Sequence, residues 1–401
     1  MKKQYTIDNF FVSICIVMFA FLPTSKGTRI YGVEYAIFVW GIASILVITL
    51  ALRNIIDYGR VILVYVFGLS YMFLVTIIAQ EKYIYYHVSL ARIVPLLVLA
   101  LLFEIKIVKI PSKRYMLFLL NIFSVSSIIW NIAIIEHIKP VMEFTYNNFS
   151  QYFENAVYYS VIQNAKPVMT FGVHTYAAYF YFIFFLLNYY TYEKLKKNIY
   201  LAYALCFMIL TLFLVSTTAI IFFVMMFIFF CYNFLKKKKQ FFIFIFILVV
   251  ICIILISNID YIYLKLHYNI TNGENSFISR YSSQSVFVEN VKIITSSLGI
   301  GFNVISQLNI GYSDSGYVVY LTMGSVPLLI YVYYNLFKFL QRNISIKYRK
   351  IFIILIFAFE FALPASFQYR FIYMIIFVVE YLNMLVMLPE GDNIYVEKNS
   401  R

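Results

Sequence analysis

Runs of about twenty mostly apolar residues recur along this chain, and they constrain its fold more than any other sequence feature. A helix of that length crosses the apolar core of a bilayer and bonds its own backbone polar groups on the way. Of the 401 residues, 63% are hydrophobic and 12% are charged. A soluble domain cannot bury that much apolar surface. The sequence therefore predicts an all-α integral membrane protein in which residues 1–401 form a single polytopic membrane domain.

The apolar runs predict about twelve transmembrane helices. They lie near residues 7–24, 33–52, 61–80, 87–105, 115–135, 171–191, 199–216, 219–235, 241–258, 317–339, 351–367 and 371–388. The stretch from Ile199 to Leu235 is continuous, so it holds two spans only if the chain turns tightly at Ser216-Thr217-Thr218.

Basic residues predict the orientation of these helices. If the N-terminus is cytoplasmic and every span crosses, most of the 32 lysines and arginines fall on the inner side. The run Lys236–Lys239 is one such segment. This bias explains the net charge of +14 without nucleic acid as a partner. The sequence thus predicts that both termini are cytoplasmic.

Two connections are long, and both are predicted to be extracytoplasmic: residues 136–170 and 259–316. They are rich in aromatic residues, which favours ordered structure over disorder. In the first, NNFSQYFENAVYYSVIQ predicts a helix, either on the outer membrane surface or packed on the bundle. Its helically spaced residues are Phe149, Tyr152, Phe153, Ala156 and Tyr159.

Two outer segments carry candidate site residues. In KPVMTFGVHTYAAYF, His174 enters a span close to Gly172 and Lys166, and it serves either chemistry or structure. In SFISRYSSQS, Arg280 offers a planar fork that suits phosphate oxygens. The alternative for Arg280 is a salt bridge to a nearby glutamate.

A third outer segment is GIGFNVISQLNIGYSDSGY, residues 299–317. Gly299 and Gly301 let the chain turn as it returns to the membrane. Asp314, Ser315 and Tyr317 then present polar groups where a lipid-linked sugar would sit. The alternative is that Asp314-Ser315 caps the next helix.

Other patterns bear on cofactors and on transport. The sequence has neither HExxH, nor a pair of histidines four residues apart, nor a phosphate-binding loop, so no metal and no cofactor are predicted. Glu360 and Glu380 lie within predicted spans, where carboxylates are functional candidates by default. Arg370, on the outer turn, is a candidate partner of Glu360.

The pattern SRY, GIGF, a variable loop and DSGYVVYLTMGSVP resembles the O-antigen and capsule polymerases of the Wzy type, within the wider polymerase/ligase superfamily. TFGVHTYAAYF is similar to the end of that family's first long outer loop. FLVSTTAII is similar to its Ser-containing segment, although Thr217 and Thr218 stand where the family often has a basic residue. The layout of spans and loops is similar along the whole chain.

This resemblance implies a GT-C-like fold and a glycosyltransferase that needs neither metal nor nucleotide. It implies that undecaprenyl-diphosphate-linked oligosaccharides are joined at the outer face of the bacterial cytoplasmic membrane. The implied partners are that substrate, membrane lipid, a chain-length regulator and a flippase. The implied catalytic residues are Arg280 for the leaving diphosphate and His174 or Asp314 as the base. The implied diphosphate- or sugar-binding residues are Arg92, Lys166, Gly172, Gly299, Gly301, Ser315, Tyr317 and Arg370.

Two other functions stay open. A flippase or transporter of the lipid-linked unit also has about twelve spans, but it would have short loops on both sides. An O-antigen ligase shares the architecture. The ligases have a histidine followed by a small polar residue where this chain has Asp314-Ser315, so the sequence favours a polymerase.

Overall fold

The computed structural model describes residues 2–21, 29–30, 33–54, 58–82, 87–88, 90–107, 111–149, 158–235, 298–304, 315–361 and 364–388. Within these residues the α-helices are α1 (Lys2–Ala20), α2 (Tyr35–Asn54), α3 (Tyr58–Lys82), α4 (Leu90–Glu104), α5 (Lys113–Ile135), α6 (Lys139–Phe149), α7 (His174–Leu195), α8 (Asn198–Phe213), α9 (Thr217–Leu235), α10 (Gly316–Asn343), α11 (Ile346–Glu360) and α12 (Tyr369–Val386). A π-helix covers Tyr158–Gln163, and 3-10 helices cover Met169–Phe171 and Ala365–Phe367.

The strands in the described part of the chain are two residues long. Strand β1 (Arg29–Ile30) pairs antiparallel with β2 (Val33–Glu34). Strand β3 (His87–Val88) pairs antiparallel with β4 (Asn303–Val304) and so ties the end of the second long connection to the segment before α4.

The helices confirm the all-α membrane class that the sequence predicted. An α-helix lies at every predicted span within the described residues, and the span near 241–258 lies outside them. Among the described residues, the stretches Tyr58–Gln80, Lys113–Ile135 and Gly316–Asn343 are each long and apolar enough to cross a membrane. The chain is therefore an all-α membrane protein.

The predicted turn between the two adjacent spans is also present. Helix α8 ends at Phe213 and α9 begins at Thr217. The Ser216 hydroxyl accepts a hydrogen bond from the Ala219 amide at 3.2 Å. Ser216 thus caps the first turn of α9, which explains why a continuous apolar stretch divides there.

The helix predicted from NNFSQYFENAVYYSVIQ lies partly outside the described residues, and the described chain is helical on both sides of that gap. Helix α6 ends at Phe149 and the π-helix begins at Tyr158, while residues 150–157 lie outside the described part. Helix α6 packs on α5, where the Trp130 indole N–H donates to the Thr145 hydroxyl at 2.9 Å. The Trp130 ring also contacts two phenylalanine rings of α6. These contacts hold α6 against α5.

The described chain divides into two compact units. The first contains nearly all of α1 together with α2–α4 and α10–α12. Within it, α2 packs on α4, α4 packs on α3 and α10, and α12 packs on α2. The second unit contains α5–α9. Its central helix is α7, whose aromatic and aliphatic residues are buried on nearly every face by α8 and α9.

Candidate functional site

Helix α10 is broken in its middle. Gly324 and Ser325 have non-helical backbone angles, and Ser325 takes φ 56° and ψ −159°, which non-glycine residues rarely adopt. Pro327 follows, and its missing N–H leaves the Met323 carbonyl without a helical donor. The Gly324 carbonyl accepts a hydrogen bond from the Tyr71 hydroxyl of α3 at 3.0 Å. In apolar surroundings the other freed carbonyls also need donors.

Those donors come from residues 298–304, within the second long connection. The Ile300 amide donates to the Thr322 carbonyl and the Gly301 amide donates to the Met323 carbonyl, each at 2.8 Å. The turn thus replaces the hydrogen bonds that the break removes from α10. The same arrangement fixes the turn against the helix.

Glycine is required at both turns of this segment. Gly299 has φ 104° and Gly301 has φ 63°. A Cβ atom on Gly299 would lie 2.7 Å from the Met323 carbonyl oxygen, and one on Gly301 would lie 2.2 Å from the Thr76 hydroxyl oxygen. The two glycines therefore let the turn approach α3 and α10 more closely than any other residue allows.

Helix α3 holds the other side of the turn. The Thr76 hydroxyl accepts from the Phe302 amide at 3.0 Å, and the Asn303 side-chain amide donates to the Thr76 carbonyl at 2.9 Å. The Gln80 side-chain amide donates to the Asn303 side-chain oxygen at 3.1 Å. Asn303 is fully buried, so its hydrogen bond to Thr76 forms away from solvent.

A buried arginine lies beside the turn. Arg92 of α4 is 3% exposed, and its Nη1 is 3.5 Å from the Gly301 carbonyl oxygen, at the limit of a hydrogen bond. Arginine stays charged in proteins, and charged side chains within membrane segments are rare and mark functional pathways. The structure thus brings together Arg92, Gly299 and Gly301, all three of which were predicted site residues.

The start of α10 forms a second polar cluster around Glu360, at the end of α11. Glu360 is fully buried. Its Oε2 accepts from the Tyr333 hydroxyl at 2.8 Å, and its Oε1 accepts from the Ser366 amide at 2.6 Å. The Ser366 hydroxyl is in turn 2.9 Å from the hydroxyl of Tyr320. Both carboxylate oxygens therefore have donors within the described residues.

The predicted residues Ser315 and Tyr317 belong to this cluster. Ser315 occupies the N-cap position of α10, but its side chain makes no capping bond and donates instead to the Glu360 carbonyl at 3.2 Å. The Tyr317 hydroxyl donates to the Phe357 carbonyl at 2.8 Å, and its ring stacks on that of Tyr333 at 4.5 Å. Side-chain capping of α10 therefore does not explain why a serine occupies position 315.

Three predicted site residues lie in the second unit. His174 is the half-buried first residue of α7, and Gly172 before it has φ 71°. Lys166 is buried, with its Nζ 5.6 Å from the centre of the Tyr159 ring. Ala165 has φ 46°, a left-handed conformation that is costly outside glycine. The approach to His174 is therefore an ordered segment with an unusual backbone.

The remaining predicted residues are placed as follows. Arg280 and Asp314 lie outside the described residues. Arg370 is 8% exposed and is the second residue of α12, in the first unit. The predicted residues of the first unit are Arg92, Gly299, Gly301, Ser315, Tyr317 and Arg370, and those of the second are Lys166, Gly172 and His174.

Sequence analysis missed several residues that build these clusters. They are Tyr71, Thr76, Gln80, Asn303, Tyr333 and Ser366. One signal was available: Gly324 and Pro327 interrupt an apolar run, which indicates a break in a membrane helix. In the described part of the chain, no three His, Cys, Asp or Glu side chains gather into a group that could hold a metal ion.

Comparisons with known proteins identified no relative of this chain. No protein-family model matches the sequence, and no curated protein or solved structure matches it either.

Proposed function

We propose that this chain is a glycosyltransferase that joins polyprenyl-diphosphate-linked oligosaccharide units into O-antigen or capsular polysaccharide. It would work at the outer face of a bacterial cytoplasmic membrane, with about twelve spans in a GT-C-like arrangement and both termini in the cytoplasm. The sequence motifs described above support this proposal. So does one structural observation, the buried Arg92 beside the glycine turn that fills the break in α10.

The position of Arg92 suits the needs of the reaction. A leaving diphosphate needs fixed positive charge in a place with little water, where electrostatic stabilisation is strongest. Arg92 lies near the predicted outer end of α4, against the turn at residues 298–304 of the second long outer connection. In the proposed enzyme Arg280 is the principal cation, and Arg92, Lys166 and Arg370 assist it.

The contacts within the first unit fit the proposed topology. Ser315 and Glu360, predicted near the outer side, lie together. At ends predicted to be inside, Arg60 pairs with Glu104 at 3.2 Å and Arg53 pairs with Asp8 at 3.1 Å. Each contact joins helix ends that the alternating spans assign to one side.

The proposed reaction is a displacement at a sugar carbon. A hydroxyl oxygen of the incoming unit bonds to the anomeric carbon of the growing glycan. The bond from that carbon to the diphosphate oxygen breaks, and its electron pair leaves with the diphosphate. The hydroxyl proton passes to a base, His174 or Asp314.

The test uses cells that make a matching repeat unit but lack their own polymerase. We expect the intact chain to produce a ladder of glycan lengths on a gel. Arg280→Ala and Arg92→Gln should abolish the ladder at equal protein level, because a cation for the leaving group is lost. The matched control is Arg114→Gln, since Arg114 is exposed at the predicted inner start of α5.

Either of two results would contradict the proposal. A surface that carries only single units with the intact chain would rule out polymerisation of that unit. A ladder of full intensity from both arginine variants would remove the arginines from the reaction.

Transport of the lipid-linked unit is the second candidate function. The observation that favours it is Glu380, a buried carboxylate within a predicted span. Accumulation of single units at the surface in the same cells would support it, and reconstituted flipping of the lipid-linked unit would then be measured.

A further inference from the structure

Glu380 is a buried carboxylate with an unsatisfied oxygen. It lies on α12 and is 5% exposed. Within the described residues, no hydrogen-bond donor reaches its Oε2, which has almost no contact with solvent. Buried polar atoms of this kind are rare in folded proteins and need a specific explanation.

Within the described residues, two other helices bring titratable or charged groups near Glu380. Helix α1 contributes the carboxylate of Asp8 and the thiol of Cys15. Helix α2 contributes the guanidinium of Arg53. Arg53 Nη1 lies 3.1 Å from Asp8 Oδ1, so the only cation among these groups is already paired with a different carboxylate. Asp8 is itself nearly buried.

The charges of this cluster do not balance when all three groups are ionised. Two carboxylates and one guanidinium leave one negative charge in excess. An ionised carboxylate without a partner is very costly in an apolar interior, so the cluster requires one more positive charge. That charge has to reach Glu380, because Asp8 already has Arg53.

We propose that Asp8, Arg53 and Glu380 form a proton-binding site in which Glu380 carries the proton at neutral pH. A proton needs a single oxygen, whereas a metal ion needs several ligands. The described residues contain no group of three His, Cys, Asp or Glu that could provide them. This inference does not depend on the proposed polymerase function.

The site makes protonation sensitive to helix packing. Any movement of α1 or α2 that frees Arg53 from Asp8 offers a cation to Glu380, which then releases its proton. The three residues lie toward ends predicted to be cytoplasmic. Proton exchange from that side is what a proton-coupled transporter requires.

Infrared spectroscopy of the full-length chain in lipid nanodiscs at neutral pH tests the site. A protonated carboxyl group has a C=O stretch that an ionised carboxylate lacks. We expect Glu380→Gln to remove one such band from the spectrum of the unsubstituted chain. The matched control is Glu104→Gln, because Glu104 is equally buried but paired with Arg60 at 3.2 Å. That substitution should leave the protonated band unchanged.

Asp8→Asn provides a second test that leaves Glu380 in place. It removes one carboxylate, so Arg53 becomes available to Glu380 and the protonated band should again disappear. A band that survives both Glu380→Gln and Asp8→Asn would overturn the proposal. Loss of the band from the unsubstituted chain when NaCl replaces choline chloride would also overturn it, in favour of a sodium site.

Discussion

Glu360 and Glu380 look alike in the sequence but differ in the structure. Both are carboxylates in the last two predicted spans, and both are buried. Both oxygens of Glu360 accept hydrogen bonds, from Tyr333 and from the Ser366 amide. Oε2 of Glu380 has no donor among the described residues. Burial alone therefore does not distinguish the two carboxylates, whereas the hydrogen bonds that reach them do.

The largest expected effect comes from crowding the satisfied carboxylate. A Cβ atom on Gly316 would lie 1.7 Å from Glu360 Oε2, whereas nothing lies within 4 Å of one on Gly41. Gly316→Ala should displace the carboxylate from its donors and cost about 3 kcal/mol of unfolding free energy. Gly41→Ala in α2 should be neutral or stabilising. Denaturant titration in detergent micelles measures both, and equal stability of the two variants would contradict the crowding.

The direct comparison removes each carboxylate in turn. Glu360→Leu leaves the Tyr333 hydroxyl and the Ser366 amide without an acceptor, which should cost about 2–3 kcal/mol. Glu380→Leu leaves no such donor at Oε2, so its free energy of unfolding should change by less than about 1 kcal/mol. Denaturant titration in detergent micelles measures the free energy of unfolding of both variants. Similar losses of unfolding free energy in both variants would show that the two carboxylates do not differ in this way.

The smallest expected effect removes one hydroxyl. Tyr333→Phe deletes a donor to Glu360 and keeps the ring, so it should cost about 1 kcal/mol. Its neighbour Tyr334 is 53% exposed, and Tyr334→Phe should change stability by less than about 0.5 kcal/mol. An unchanged free energy of unfolding in Tyr333→Phe would show that the hydrogen bond to Glu360 does not stabilise the fold.

The helices could be predicted from the sequence because the length and apolarity of a span are local properties. The division between α8 and α9 was also local, since Ser216 caps α9 from the adjacent turn. Helix α6 was not predicted at all, because its packing depends on Trp130 in another helix. Long-range packing therefore set the limit of the prediction for the fold.

The candidate site was predicted in part for the same reason. Gly299 and Gly301 were predicted because glycines often mark turns. Arg92 was predicted because a charged residue is rare in an apolar run. Their partner Thr76 is an ordinary residue in the middle of a helix. Likewise, nothing near Glu360 or Glu380 in the sequence indicates which of the two carboxylates accepts hydrogen bonds at both oxygens. The catalytic candidates Arg280 and Asp314 lie outside the described residues and stay predictions.

The break in α10 has a consequence for how the chain is made. Its carbonyls at Thr322 and Met323 take their donors from Ile300 and Gly301, which precede them in the sequence. Synthesis runs from the N-terminus, so α3 and the glycine turn exist before the ribosome reaches Pro327. The interrupted helix therefore follows its hydrogen-bond donors in the order of synthesis. A chain cut before residue 298, with α10 supplied later as a separate fragment, would lack these donors.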